Sequence, residues 1–198
     1  MTVLRRSTLV TLSFAGALAL SACSQGGSST NPTPTADKPA TSESAPSDPA
    51  SQVESPLNLK AVSDPCQLLK PEQLAQLGGG GEPKTEDATT GNKACVWSGE
   101  SVSITVEPDT TTGGGFAGLR DTKANYANFE EIPKISGYPA ARINRDDLLC
   151  IVGTGVSDED TLFVHVGKFG TTDPQHADPC AFGEKVFTEV IKNVPPQG

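Results

Sequence analysis

The amino-acid sequence predicts an α+β domain in which an antiparallel sheet of about five strands carries two to three packed helices and two disulfides. Segments in which apolar and polar residues alternate, as in strands, lie between segments with helical periodicity. The short connections between neighbouring strands favour antiparallel pairing. Four cysteines are spread over the same region: Cys66, Cys95, Cys150 and Cys180. We expect one domain over residues 64–194, followed by a C-terminal tail at 195–198.

Two copies of the tripeptide Asp-Pro-Cys, at 64–66 and 178–180, each predict the start of a helix. In both, the aspartate can cap the helix and the proline takes the first helical position. Leucines continue the first helix up to the glycines at 78–81: Leu68, Leu69, Leu74 and Leu77. The second helix carries an apolar stripe at helical spacing and ends before Pro195: Phe182, Val186, Phe187, Val190, Ile191 and Val194.

The segment between these two helices predicts five strands and one further helix. Alternation of apolar and polar side chains indicates a hairpin over 94–98 and 102–107. A run of glycines at 113–115 opens a helix over 116–129. Three more strands follow, over 134–143, 148–156 and 162–168.

The first 22 residues have the features of a bacterial secretion signal. Arg5 and Arg6 precede an uncharged apolar stretch over 8–20, which is shorter than the ~20 residues needed to span a bilayer. The sequence Leu-Ser-Ala directly before Cys23 matches the lipobox of bacterial lipoproteins. We therefore expect cleavage before Cys23, diacylation of its thiol and stable attachment to the extracytoplasmic face of the cell membrane. The alternative is an ordinary signal peptide in which Cys23 is incidental.

Residues 23–63 combine the lipidated cysteine with a stretch rich in Ser, Thr and Pro. This stretch has no aromatic residue, so it cannot bury enough apolar surface to offset the entropy of ordering. We expect a disordered tether with a contour beyond ~120 Å, which would hold the domain clear of the lipid headgroups.

An extracytoplasmic location predicts that the four domain cysteines form disulfides, because that compartment is oxidising. Three connectivities are possible. Chain proximity favours Cys66 with Cys95 and Cys150 with Cys180, which would tie each terminal helix to its nearest sheet segment. Pairing of Cys66 with Cys180 remains an alternative. No pair has the C-x-x-C spacing typical of zinc sites.

The mature chain is strongly acidic. The whole sequence has a formal charge of −9, and removing Arg5 and Arg6 with the signal leaves 13 basic against 24 acidic residues, a charge of −11. Such a surface argues against binding nucleic acid through electrostatics. We expect a monomeric domain with no nucleic-acid partner.

The residue types offer no recognisable catalytic set. The chain lacks the G-x-S-x-G elbow of serine hydrolases and the G-K-[ST] of a phosphate loop. Of its two histidines, His165 is predicted to be a surface residue or one whose hydrogen bonds are satisfied within the fold. His176 could form a weak metal site with Asp173 and Asp178. Because Asp178 already caps a helix, we expect no metal. Because no catalytic motif is present, we also expect no cofactor and no catalytic residue. Acids in the turns at 146–147 and 158–160 are predicted to be solvated.

Trp97 and Tyr138 are the candidate ligand-binding residues. Trp97 lies next but one to Cys95 and can pack on its disulfide, and Tyr138 belongs to a Gly-Tyr-Pro-Ala turn that can place its ring across the sheet. This core interpretation is the one we favour. In the alternative, both rings line a shallow ligand cleft.

Several short motifs occur together in a characteristic order: the lipobox at Cys23, Asp-Pro-Cys at 64–66, Cys-Val-Trp at 95–97, Gly-Tyr-Pro-Ala at 137–140, Cys150 and Asp-Pro-Cys at 178–180. With this order and spacing the chain resembles the actinobacterial lipoproteins grouped as domain of unknown function 3558, over the whole folded part. Lys70 departs from that pattern, where we expect a Thr or Ser cap for the helix beginning at Pro71. The resemblance implies an envelope location and a fold, and no reaction.

Together these observations predict a membrane-anchored extracytoplasmic lipoprotein that acts as a non-enzymatic binding or interaction module of the cell envelope. Its partner would be a protein or a small molecule of unknown identity. One alternative is a regulatory or assembly lipoprotein that acts on an envelope sensor or secretion complex. A weaker alternative is a metal-dependent hydrolase that uses His176.

The lipobox interpretation makes a prediction that can be checked by mass. In a Cys23→Ala variant, we expect the lipid to be absent and the protein to leave the membrane fraction, because the alanine has no thiol to acylate. Intact-mass spectrometry of both fractions measures this, with Ser24→Ala as the matched control. A Cys23→Ala chain found in the membrane at the lipidated mass contradicts the assignment.

Overall fold

The structure is a computed structural model that describes residues 49–170 and 173–198. In chain order its strands are β1 Pro83–Asp87, β2 Lys93–Ser98, β3 Val102–Asp109, β4 Phe129–Ile135, β5 Tyr138–Ile143, β6 Leu149–Gly155 and β7 Thr161–Lys168. The α-helices of the described part are α1 Pro71–Gln76, α2 Gly115–Asp121 and α3 Pro179–Val190. The signal segment, Cys23 and the first part of the predicted tether lie outside the described residues.

The strands form one antiparallel sheet of seven, in the order β1-β2-β3-β7-β6-β5-β4. The predicted fold class is confirmed, since an antiparallel sheet is combined with three helices and two disulfides. The expected number of about five strands was wrong. The sequence did not reveal β1 because all of its side chains are exposed, so no apolar alternation marks it.

The stretch 134–143, predicted as one strand, is a hairpin between β4 and β5. Its turn is formed by Ser136 and Gly137, whose φ angles of 53° and 92° are those of a tight two-residue turn. Serine is uncommon at the first position of such a turn, so the sequence did not predict the turn. Since β4 already begins at Phe129, the helix predicted over 116–129 is also shorter, and α2 ends at Asp121.

Helix α3 covers what we call the first face of the sheet. The predicted stripe is buried at Phe182, Val186, Phe187 and Val190, whereas Ile191 and Val194 lie beyond the end of α3. The helix packs on alternate side chains of β6 and β7 that point to the same side. The approach is close at Gly183, where a Cβ would lie 2.9 Å from Val152 Cγ2. Burying each large apolar side chain contributes ~1.5–3 kcal/mol, so this interface supplies much of the domain's stability.

Both disulfides follow the predicted sequential pairing. Cys66 bonds to Cys95 and Cys150 bonds to Cys180, with sequence separations of 29 and 30 residues. The second bond joins the first turn of α3 to β6, and the Asp178 carboxylate caps that turn by accepting the Cys180 and Ala181 amides. The helix and the sheet are therefore joined covalently at one end of their interface.

The first predicted helix is divided in two. Residues Pro65–Leu68 form a short 3-10 turn, and Leu69 and Lys70 are extended before α1 begins at Pro71. This break has a steric cause, because the residue before a proline is disfavoured in the helical region. Lys70 makes no side-chain cap hydrogen bond, but Gln73 accepts the Lys70 amide at 3.0 Å, as the third helical residue does in a capping box. The amide group of Gln73 also donates to the Glu189 carbonyl of α3.

The folded part extends beyond the predicted boundaries at 64 and 194. Leu57 and Leu59 are buried, and the Leu57 amide donates to the Val156 carbonyl at 2.8 Å. The predicted tail takes part too, since Leu57 forms an antiparallel bridge with Pro196. Two leucines in a polar stretch are too few to show a helical or strand-like period, so composition alone assigned them to the tether.

Helix α2 packs on the opposite side, which we call the second face. Phe116 and Leu119 meet Ala141 and Ile143 there. The helix can lie this close because β6 has glycines on that face, and a Cβ at Gly155 would lie 2.7 Å from the Phe116 amide nitrogen. The half of the second face formed by β2 and β3 is open by comparison, with half-buried side chains at Val96, Ser103 and Thr105.

The contact at Gly155 predicts a large effect from one added methyl group. We expect Gly155→Ala to lower the free energy of unfolding by ~1–3 kcal/mol, because the new Cβ would displace the α2 backbone. Gly167→Ala on the neighbouring strand is the matched control, since its nearest neighbour would be 3.9 Å away. Urea unfolding measures both. Equal effects of the two changes would contradict the proposed packing.

The disulfide Cys150–Cys180 predicts a second effect on stability. Replacing both cysteines by alanine is expected to cost ~3–4 kcal/mol, the chain-entropy value for a loop of this length. The Cys66→Ala, Cys95→Ala double variant opens a loop of nearly equal length and serves as the comparison. Chemical denaturation under non-reducing conditions gives both values, and a cost below ~1 kcal/mol for either pair would be inconsistent with this account.

Candidate functional site

The second face of the sheet contains a small cavity, which we call the groove. Its volume is about 230 Å³. It is lined by residues of β3, β5, β6 and β7 together with three connecting segments: Thr89, Thr90, Glu107, Tyr126, Ile143, Asn144, Ile151, Phe163 and His165. The groove therefore brings together residues from most of the sheet.

Glu107 is the buried charge of the groove. It lies on β3 with only 6% of its surface exposed, on the second face because Ile104 and Val106 occupy the first. Its carboxylate accepts a hydrogen bond from Thr90 Oγ1 at 2.6 Å, and its Oε2 lies 3.4 Å from His165 Nε2. An acid and an imidazole thus meet at the floor of the groove.

Glu107 is held in its ionised form. Burial raises the pKa of its carboxyl, but the contact with His165 and the hydrogen bond from Thr90 outweigh burial, so the pKa lies below its usual value. Hydrogen bonds to a charged group contribute ~1.5–3 kcal/mol, enough to offset partial desolvation. The groove therefore carries a buried negative charge at neutral pH.

Asp109 supports the loop that places Thr90. It too is buried, and it accepts hydrogen bonds from the Asn92 side chain and from the amides of Thr111 and Thr112. Burial raises the pKa of Asp109, but the hydrogen bonds from Thr112 and Thr111 outweigh it and bring the pKa below its usual value. The β1–β2 loop is thereby tied to the end of β3, which positions Thr90 over Glu107.

His165 has a more specific setting than the sequence suggested. Its ring is half-buried, its Nε2 makes no hydrogen bond of good geometry, and Phe163 contacts it edge-on at 6.3 Å between ring centroids. The alternation of β7 correctly placed it opposite the apolar face. Its proximity to Glu107 was missed, because that depends on the register between β3 and β7, which no local pattern reveals.

The hypothetical metal site at His176 is not assembled. His176 is buried, its Nε2 contacts the Leu77 carbonyl at 3.2 Å, and its ring packs edge-on against Phe182. Asp178 caps α3, and Asp173 accepts the Gln175 amide. Over residues 49–170 and 173–198, no group of three or more His, Cys, Asp or Glu side chains is arranged to hold a metal ion.

Trp97 and Tyr138 both belong to the core of the first face. Trp97 is 2% exposed, and the Tyr138 ring meets Phe187 edge-on while its hydroxyl donates to the Ser55 carbonyl. Three strands separate β2 from β5, so the two rings do not share a cleft. Neither residue lines the groove. The favoured core interpretation therefore describes both residues, and the ligand-cleft alternative has no geometric support.

The acidic turns differ from one another. Asp146, Asp147, Asp158 and Glu159 are exposed, as predicted for solvated acids. Asp160 is not solvated, since it is 4% exposed and burial raises the pKa of its carboxyl. The reason is local, because Ser157 and Asp160 close a tight turn that leads from β6 into β7.

Larger depressions lie elsewhere on the described surface, and one of about 310 Å³ lies between the end of α1 and α3. One of about 650 Å³ lies beside the segment 61–71 and the C-terminal residues, and one of about 600 Å³ lies at the end of the sheet near Arg145 and Lys168. None of the titratable side chains that line them is buried. We regard the groove as the candidate site, because a concave site with convergent polar groups and a perturbed carboxyl is typical of ligand binding.

Three large apolar side chains are exposed at the end of the sheet where β6 begins and β7 ends. We call Leu148, Leu149 and Phe169 the distal tip. Leu148 and Phe169 are 55% and 56% exposed, and the two loops are joined by a hydrogen bond from the Lys168 amide to the Leu148 carbonyl. Exposed apolar residues that cluster in this way are typical of interaction surfaces.

The hydrogen bond between Thr90 and Glu107 predicts a measurable shift. In Thr90→Val the pKa of Glu107 should rise, because the ionised form loses a donor. Because the pKa of Glu107 is lowered in the folded protein, its ionised form stabilises the fold above the usual pKa of the carboxyl, and this stabilisation is lost as the pH falls through the folded-state pKa. On acidification the variant should therefore lose stability at a higher pH than the unsubstituted protein. NMR titration of the Glu107 carboxyl carbon measures the shift. Thr89→Val is the control, and an equal shift there would contradict the assignment.

Comparison with known proteins assigns the chain to a family. No curated protein and no solved structure matches it. Within the described part of the chain, none of the helices has the length and apolar character needed to cross a membrane. The model of the family described as Protein of unknown function (DUF3558) matches residues 18–193, which is most of the chain. The chain therefore belongs to the DUF3558 family, as the order of its motifs indicated.

Proposed function

We propose that this protein is a lipid-anchored, extracytoplasmic binding module of the cell envelope, without enzymatic activity, and that the groove is its ligand site. Two independent features support the proposal. The lipobox at Cys23 supports attachment to the membrane, and the groove offers a preformed concave site on the folded domain.

The observation that carries the binding role is the buried, ionised Glu107 at the floor of the groove. A buried charge costs stability unless it is paired, so its presence in an otherwise partly apolar cavity calls for a function. The lining of the groove includes no serine or cysteine, and the hydroxyl of Thr90 donates to Glu107 and not to the imidazole. Nucleophilic catalysis needs a nucleophile beside a base, so the arrangement favours binding.

The chain between the predicted anchor and the described domain is long. Between Cys23 and Pro49, the first described residue, lie about 25 residues with a reach of up to ~90 Å. The described chain joins the domain where Leu57 meets Val156, whereas the groove lies on the second face.

A second candidate function is that of a regulatory or assembly lipoprotein that contacts a protein of the envelope. The distal tip favours this alternative, because three exposed apolar side chains on two joined loops form a compact contact surface. The tip lies at the start of β6, and the segment that leads to the predicted anchor meets the sheet at the other end of this strand, near Val156.

Photo-crosslinking in cells distinguishes the two functions. A photoreactive residue at Thr89 reports on the groove, one at Leu148 on the distal tip, and one at the exposed Lys185 of α3 serves as the control. For a ligand-binding module we expect an adduct of defined mass on the intact protein from position 89 and none from 185. Adducts confined to position 148 would favour the assembly role, and no adduct beyond the control level at position 89 would contradict a ligand site in the groove.

A further inference from the structure

We infer that the groove binds a small organic cation: a protonated amine or quaternary ammonium group carried on a compact apolar body. This inference rests on the proposed function, in that it takes the groove to be a ligand site, and it adds the chemical class of the ligand. Three properties of the groove lead to it, namely its charge, its walls and its size.

The floor of the groove carries a carboxylate whose ion-pair partner is the His165 imidazole, and no lysine or arginine pairs with it among the described residues. Glu107 and Asp109 follow one another on the second face of β3, and both are more than nine-tenths buried. Among the described residues, neither carboxylate forms an ion pair with a lysine or an arginine. Their partners are hydroxyl, amide and imidazole groups. A cation that entered the groove would therefore meet a buried carboxylate with no competing guanidinium or ammonium group.

The walls of the groove suit an apolar body with a positive charge. Tyr126 and Phe163 present aromatic rings, and Ile143 and Ile151 lie between them on the sheet. Aromatic faces attract cations through the ring quadrupole, and the attraction is larger when the cation is desolvated. Asn144 and Thr89 at the rim can accept further hydrogen bonds from an amine.

The size of the groove limits the ligand to about one ring or a short branched chain. Its volume of about 230 Å³ is below the range of ~300–1,000 Å³ typical of drug-sized ligands. A bare metal ion fits less well, because Glu107 is the sole carboxylate among the lining residues of the groove, whereas calcium takes ~6–8 oxygen ligands. The combination of one buried carboxylate with aromatic walls selects for organic cations.

The test compares two probes of the same shape and different charge. The complete secreted chain from residue 23 onward, with Cys23→Ser so that no lipid is attached, is labelled with 15N and titrated with benzylamine, a cation at neutral pH, and with neutral benzyl alcohol. We expect saturable shifts of the Thr90 and His165 amide signals with benzylamine in the millimolar range. Binding of benzyl alcohol should be at least about tenfold weaker.

Substitution of the carboxylate supplies the second arm. Glu107→Gln should weaken benzylamine binding about tenfold or more while leaving benzyl alcohol binding unchanged. Glu130→Gln removes the same charge from an exposed position on β4 and should have no effect. The 15N spectrum itself reports whether each variant is folded, and the comparison of the two probes on the unsubstituted domain needs no variant.

The possible failures separate the inference from the proposed function. Equal binding of benzylamine and benzyl alcohol at the groove overturns the cation preference and leaves the ligand site in place. Shifts of the same signals by calcium chloride that equal those of benzylamine also overturn the organic-cation inference. If neither probe shifts any signal of the groove, the inference fails, and the adduct measured from position 89 then decides the proposed function independently.

Discussion

The pairing of β3 with β7 is the interaction on which the rest of this domain depends. It joins the β1–β3 hairpins to the β4–β7 meander along eight residue pairs, from Val102 opposite Lys168 to Asp109 opposite Thr161. Its register sends the valines of both strands to the first face, and Glu107, Phe163 and His165 to the second. A slip by one residue would turn Glu107 into the hydrophobic core, so the fold and the candidate site are specified by the same contacts.

The two faces of the sheet are covered unequally, and this difference locates the site. Helix α3 and the apolar segments before β1 cover the first face, whereas α2 covers only the part of the second face where the glycines of β6 admit it. The groove lies at the boundary between the covered and the open part. There a carboxylate can be buried on its sheet side and still face a cavity, which a fully packed face would not permit.

Local signals in the sequence predicted the parts of the fold that depend on local chemistry. The two Asp-Pro-Cys caps, the stripe of α3 and the sequential disulfides follow from residues close together in the chain. Strand β1 was not predicted because its side chains are all exposed. The turn at Ser136 was not predicted because serine rarely adopts a positive φ. The groove could not be predicted, since Glu107 and His165 meet only through a long-range register.

The segment before Asp64 also determines how the domain responds to mechanical force. Tension that reaches the domain along the N-terminal chain acts first on the hydrogen bonds that Gln52 and Ser55 accept from Lys134 and Tyr138, and then on the bridge between Leu57 and Pro196. Once the chain is peeled back to Cys66, the disulfide passes the load directly to Cys95 on β2. The residues between them, including α1 and the edge strand β1, are bypassed. The segment before Cys66 would therefore detach first, and the Cys66–Cys95 disulfide would limit further extension. Moderate pulling would lengthen the linker before the force reached the β3–β7 pairing.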